Sequence, residues 1–473
     1  MNLDFPSLSK VAAAVIILTT SCQASQAQLS SAGSSPAIGP ISIPGAGPRE
    51  KEVLIPARIG SVPNGNDFNN PDSEYCFKRS KASANFVIFW AKEYGDDPMA
   101  NSVVGRRFNV DEVLAAADLS YNYFVNKLKW APGPGALATK YKFLFIVTGG
   151  ENGTAYGGSA DNKVGAFWTP ATRISKGPYG VIAHEIGHSF QSLSRADGAP
   201  SFAGGGSISE MTSQFMLWQV YPEWQTFENY HLSAYMKATH LAFLHPDNQY
   251  HSCYPLEYWS FRHGQEIIGK MWREVRKDED AVMTYQRLTG IKQDRFNDEM
   301  FDACRRFVTW DLPRVEKVSA RYANQHTTSV RRVADDWYQI SPEKCPENYG
   351  YNAIKLKVPA AGTVVKVAFK GIAGEEGFSQ VQLDKAGWRF GLLAHKEDGS
   401  RAYSRIFSKS EGVADFKVPA HTKFLWLVVM GAPTEHWIRG EARGKEAKSA
   451  AVEQWPYKFK LLGSEPDASM IRP

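Results

Sequence analysis

The chain has 473 residues, of which 43% are hydrophobic and 12% aromatic, and a formal net charge of +5. That length accommodates two or three domains, and that apolar content builds ordinary globular cores, which excludes a disordered chain. The small net charge, with no Lys/Arg block interleaved with aromatics, excludes a nucleic-acid groove.

Residues 1–27 read as an export signal, with Lys10, the apolar run Val11 to Leu18, and then small residues. The run is too short to span a bilayer as a permanent helix. Two processing sites compete. Thr19-Thr20-Ser21-Cys22 resembles a bacterial lipoprotein box, cleaved before Cys22 with lipid on its sulfur, whereas Ser25-Gln26-Ala27 suits the ordinary signal peptidase. The first route gives a cell-surface or outer-membrane lipoprotein, and the second a secreted or periplasmic protein. Membrane contact is then expected only through an N-terminal lipid anchor. Residues 28–72 form a tether and lead-in, rich in Ser, Gly and Pro from Gln28 to Pro48.

Residues 73–340 read as one domain. Asn85 to Trp90 is a first strand, ended by Tyr94-Gly95-Asp96-Asp97-Pro98. Asn109-Val110-Asp111-Glu112 opens a helix with a capping-box-like pattern, running to about Lys129. Tyr141 to Val147 is a buried strand, Thr148 to Ala160 a Gly-rich loop, and Lys163 to Trp168 a further strand. Tyr179 to Leu193 follows as a mostly buried helix, starting after Gly177-Pro178.

That helix carries His184-Glu185-Ile186-Gly187-His188, an HExxH sequence. Four residues apart on a helix, the two imidazoles leave one face together and meet one zinc ion. Glu185 is turned about 100° around the axis, where a carboxylate serves as general base without ligating. Gly187 is tolerable beside His188 if that face packs tightly against other backbone. The bland alternative is a core helix whose histidines are satisfied by hydrogen bonds.

A catalytic zinc takes a third protein ligand and keeps one position open. Glu210, 22 residues after His188, is the leading candidate. It opens an amphipathic helix with Met211, Phe215 and Trp218 on one stripe, and Ala203 to Gly206 allows a reversal that sets the two helices side by side. Glu223, Glu228 and His231 are the alternative ligands. This separation resembles the gluzincin group of zincin metallopeptidases, in which a glutamate on the following helix completes the site. The resemblance puts an aspartate that buttresses a histidine ligand four residues after that glutamate; here the position is Gln214, a neutral amide that can still hydrogen-bond a group behind the ligands.

From Ser209 to about Asp311 the pattern is helical and aromatic-rich. Gluzincins place a Tyr or His opposite the metal to stabilise the oxyanion, and Tyr250, His251 and Tyr254 are the candidates here. The resemblance to zincins also sets the Lys163–Trp168 strand along the cleft, with extended substrate pairing on its edge. Cys76, Cys253, Cys304 and Cys345 permit two disulfides, Cys253 to Cys304 first because both fall in the helical region; buried free thiols are the alternative.

Residues 345–473 change to short alternating runs, at Ile354–Val358, Val364–Phe369, Trp388–Ala394, Val413–Val418, Phe424–Met430 and Tyr457–Leu462, the pattern of a β-sandwich. Trp388, Trp426 and Trp437 are candidates for a sugar-stacking face, with core packing as the alternative. Four stretches, Phe86–Pro98, His184–Gln191, Glu210–Pro222 and Leu427–Trp437, resemble an uncharacterised family of secreted bacterial HExxH proteins with a C-terminal β-domain.

The expected fold class is therefore α+β: a zincin-like domain, with a small mixed sheet, the HExxH helix and a helical lower subdomain, then an all-β sandwich. The expected activity is zinc-dependent hydrolysis of peptide bonds in proteins or glycoproteins, with His184, His188 and Glu210 on one Zn2+ and Glu185 as base. Two alternatives share the site: a weak or inactive surface protein that binds glycans or glycoproteins, and a hydrolase of non-peptide bonds. No nucleic-acid partner is expected, and no feature specifies an oligomeric state.

Overall fold

The computed structural model describes residues 51–472 apart from 132, 134, 151–152, 380–381 and 439–452. The export signal, Cys22 and the tether as far as residue 50 lie outside the described residues. The first sheet contains β1 (Ser80–Ala82), β2 (Phe86–Trp90), β3 (Phe143–Thr148), β4 (Tyr156–Ala160) and β5 (Val164–Pro170) in the order β1-β2-β3-β5-β4. β2, β3 and β5 are parallel, while β1 and β4 run antiparallel at the edges. Every residue of β2 is buried, as its unbroken apolar run requires of a strand covered on both faces.

Helices α1 (Val110–Asn126), α2 (Leu137–Lys140) and α3 (Gly180–Ala196) pack on this sheet, and α4 (Ser207–Val220) packs on α3 and α1. Asn109 caps α1: its Oδ1 accepts from the Asp111 and Glu112 backbone at 3.0 and 3.3 Å, and its Nδ2 donates to Glu112 Oε1 at 3.1 Å. α3, the HExxH helix, is anchored by Phe190, whose ring lies 5.3–5.9 Å from Tyr121 and Phe124 of α1 and Phe143 of β3. Ser189 Oγ donates to Ala166 O of β5 at 2.9 Å, fixing how far α3 slides along the sheet.

The lower half is helical: α5 (Trp224–Phe227), α6 (Asn229–Lys237), α7 (Tyr254–His263), α8 (Ile267–Glu274), α9 (Ala281–Thr289), α10 (Gln293–Phe307) and α11 (Glu316–Ser319). None of the described helices is long and apolar enough to cross a membrane.

Two sheets follow, built from β6 (Val330–Arg332), β7 (Tyr338–Ile340), β8 (Tyr351–Leu356), β9 (Val364–Gly371), β10 (Trp388–Lys396), β11 (Arg401–Tyr403), β12 (Glu411–Lys417), β13 (Thr422–Gly431), β14 (Tyr457–Leu462) and β15 (Ile471–Arg472). Their orders are β11-β10-β13-β8 and β12-β9-β14-β7-β6-β15. Phe369 of one sheet stacks on Phe390 of the other at 4.1 Å, so the two close on a shared apolar layer. The fold is α+β, helices and a mixed sheet followed by this β-region.

Four expectations change. The β-region starts at β6, before residue 345, because β7 pairs with β14 and β6 with β7. It also shares one continuous core with the helical part: Arg389 pairs with Asp298 of α10 at 2.8 Å, and Asn297 Nδ2 donates to Pro433 O at 2.9 Å. Cys253 and Cys304 form no disulfide; all four described cysteines are buried free thiols, and Cys304 Sγ lies 3.7 Å from Met430 Sδ. Burial pushes the Cys253, Cys304 and Cys345 thiols up, away from the reactive thiolate. Finally, Trp388 and Trp426 are core residues, 2% and 0% exposed, and offer no stacking surface to a sugar.

Candidate functional site

Two glycines set the spacing of the site. A methyl group on Gly187 would meet Ser213 Oγ of α4 at 2.9 Å and Ser213 Cα at 3.2 Å, so only glycine lets α3 and α4 approach this closely. One on Gly157 would lie 2.0 Å from Glu185 O and 2.9 Å from His188 Cβ, so β4 is laid directly on the HExxH turn. The expected cleft strand, Lys163 to Trp168, is interior, paired with β3 on one side and β4 on the other. The edge belongs to β4, which lies within the stretch expected to be a loop. Its low β-propensity hid it, and its glycines are there for the contact with α3.

With the helices this close, three donor atoms converge. His184 Nε2 and His188 Nε2 are 3.1 Å apart, and Glu210 Oε2 lies 3.3 Å from the first and 3.2 Å from the second. Donors held at roughly 2.0–2.1 Å around a tetrahedral zinc ion stand about 3.3 Å from one another. The spacing and chemistry of this donor set therefore fit zinc. The Glu185 carboxylate lies within 4.8 Å of the two histidine donors, beside the triangle.

His188 is oriented from behind. Its Nδ1 lies 3.2 Å from Gln191 Oε1 and 3.4 Å from Ser209 Oγ. Gln191 Nε2 in turn donates to Ser209 O at 2.9 Å and Ser213 Oγ at 3.0 Å, tying α3 to α4. An amide oxygen accepts, so Nδ1 carries the hydrogen and Nε2 presents its lone pair to the triangle. Sequence reading missed Gln191, although it stands three residues after His188 and shares its helix face. Gln214, the amide expected to buttress a metal-binding histidine, instead places Nε2 3.4 Å from His231 Nε2.

The charges are mutually adjusted. Burial pushes Glu210 up, but the imidazoles of His184 and His188 beside its carboxylate prevail and hold it far below the usual carboxylate range. Burial disfavours protonation of His184, yet Glu210 and the charges of Glu185 and Glu228 raise it overall. Glu185, 6% exposed, is raised by burial against the pull of both histidines.

A cavity of about 210 Å³ opens beside His184 and Glu185, with Gln214, Glu228, His231 and Tyr250 among its walls. Tyr250 has its ring 6.5 Å from that of His184, and burial, then the Glu210 charge, raises its phenol. His251 stands one step back, with Nδ1 2.7 Å from His231 Nδ1. Burial, then the His251 charge, lowers the His231 pKa to about 3, so it is a neutral hydrogen-bonding group. Tyr254 is not at the site: it is 0% exposed, packed on Tyr235 and Trp310 at 4.5 and 4.6 Å. Glu228 and His231 line the cavity rather than joining the donor triangle, and Glu223 does neither.

Compared with curated proteins, the chain finds no match. A family model does match, over residues 46–468, which takes in the sheet, the donor triangle and nearly all of the β-region. The chain belongs to the family described as a family of unknown function (DUF6055).

Proposed function

We propose that this chain is an exported zinc-dependent hydrolase that opens peptide bonds in protein or glycoprotein substrates. The observation that carries the reading is the triangle of His184 Nε2, His188 Nε2 and Glu210 Oε2, with sides of 3.1–3.3 Å. A zinc ion held by these three residues supplies a Lewis acid that polarises a carbonyl and acidifies water.

The chain's own groups have separate tasks. Gln191 and Ser209 keep His188 in the tautomer and orientation that a ligand needs. Glu185 takes the proton of the attacking water and returns it to the departing amine, the work of a positioned general base and then acid. Edge strand β4, laid against α3, supports an extended peptide substrate added as a further strand. Tyr250 and His231 border the cavity as hydrogen-bonding walls where oxyanion charge develops.

The test is a digest of an unbiased peptide library by the purified protein, with and without a chelator. Cleavage that the chelator stops and added zinc restores is the expected result. Intact peptides beside cleaved small esters would move the assignment to non-peptide bonds.

A further inference from the structure

Among the described residues lining the cavity, Arg173 is the sole arginine or lysine. It sits on the one-turn 3-10 helix Ala171–Arg173, which joins β5 to the approach of α3. Ala171 and Ile174 are both 0% exposed, and Ile174 N donates to Ala171 O at 3.0 Å, so the backbone under Arg173 is fixed. Its side chain is exposed at the mouth. It makes no hydrogen bond or ion pair among the described residues, and acts on Glu185, Glu228 and Tyr230 only through its field.

Of the two carboxylates among the described lining residues, Glu228 is engaged elsewhere. Glu228 Oε2 accepts from Trp224 Nε1 at 2.5 Å and lies 3.9 Å from His231 Nε2. Glu185 is sunk beside the donor triangle. A forked cation standing free in a cavity walled by carboxylates is a receptor for one planar anion in one corner. Glu185 and Glu228, the two carboxylates among the described lining residues, disfavour that anion on their own walls, so Arg173 orients whatever carries it.

We infer that Arg173 is a specificity-determining residue that binds a carboxylate of the substrate next to the bond to be opened. The inference rests on the hydrolase reading for its substrate, while its charge chemistry is independent of turnover. The carboxylate is either a peptide's C-terminus or an Asp or Glu side chain, and the two are separable by experiment.

The experiment is equilibrium binding, by fluorescence anisotropy, of labelled tetrapeptides to the full chain carrying Glu185→Gln. Peptides come in matched pairs, free acid against C-terminal amide and Asp or Glu against Asn or Gln. One acidic member is expected to bind about tenfold or more tightly than its neutral partner, the size of a charge-assisted forked contact. Arg173→Ala removes the difference and Arg173→Lys keeps part of it. A gap in the first pair assigns the terminal carboxylate, and one in the second a side chain. Equal affinities within every pair, no binding by any acidic peptide, or a gap that survives Arg173→Ala would overturn the inference. Wild-type turnover of the bound peptides reports separately: charge-selective binding without cleavage removes hydrolysis and keeps Arg173, and cleavage without charge preference does the reverse.

Discussion

Gly187 of α3 and Ser213 of α4 approach until a methyl group on the glycine would stand 2.9 Å from Ser213 Oγ. That contact governs how near Glu210 comes to the two histidines, since Glu210 lies one turn before Ser213. Gly187→Ala gains about 1 kcal/mol of helix propensity and loses about 1–3 kcal/mol to overpacking. The net effect on urea stability is therefore a loss of about 0–2 kcal/mol, while α4 is pushed away and zinc affinity falls roughly tenfold or more. Competition with a chromogenic chelator measures it, and unchanged affinity would sink the role given to this contact.

Gln191→Ala removes the nearer partner of His188 Nδ1 and three hydrogen bonds with α4, two donated by Gln191 Nε2 and one accepted from Ser209 Oγ. Loss of such an outer partner typically weakens metal binding about 10–100-fold. The folded protein is expected to hold zinc that much less tightly, with far-UV circular dichroism unaltered. Gln214→Ala, whose amide faces His231, is expected to leave zinc affinity near wild type. Reversed sensitivities would show that the wrong glutamine has been placed behind the metal.

His326 is 3% exposed, and its Nε2 shares a 2.7 Å hydrogen bond with Tyr351 Oη. Burial lowers its pKa to about 3. Unfolded, it takes a proton near pH 6.5; folded, only near pH 3. Between these values the unfolded chain binds more protons, so stability falls as pH drops through that window, by up to ~1.4 kcal/mol per pH unit. His240, lowered to about 4 by burial and then by the Lys344 charge, adds to the fall over a narrower window. Urea unfolding at pH 7, 6, 5 and 4 should show a shallower decline for His326→Gln and for the more accessible His240→Gln. Slopes matching wild type in both variants would contradict the assignment.

The described cysteines are four buried free thiols. The melting temperature is expected to be the same with and without reductant, and native protein should react with a thiol reagent only as it unfolds. A melting temperature that drops by several degrees on reduction would reveal a stabilising disulfide.

Much of the site was legible because its signals are local. The HExxH spacing is fixed by helix geometry, and Glu210 announces itself on the next amphipathic helix. Gly187 also read correctly as a close approach of backbone, though its partner Ser213 did not. The six β-region strands read from the sequence are all present; β9 and β12 alternate buried with exposed residues, while β10 and β13 are buried through most of their length. What escaped depends on contacts distant in sequence. β4 looks like a loop until Gly157 is seen against Glu185 O. Tyr254 is adjacent in sequence to plausible site residues, yet α7 turns it into the core. Cys253 and Cys304 share a helical region without sharing a bridge, because Cys304 packs on Met430 of the β-region.

The central claim is that four residues make one zinc-dependent site. Elemental analysis of purified wild-type, Glu185→Gln and His188→Ala proteins, beside the rate of peptide-library cleavage, tests it most directly. One zinc ion per chain is expected in wild type and in Glu185→Gln, with cleavage lost from the latter, and His188→Ala is expected to release the metal. Wild-type protein without affinity for zinc, or Glu185→Gln cleaving as fast as wild type, would contradict it.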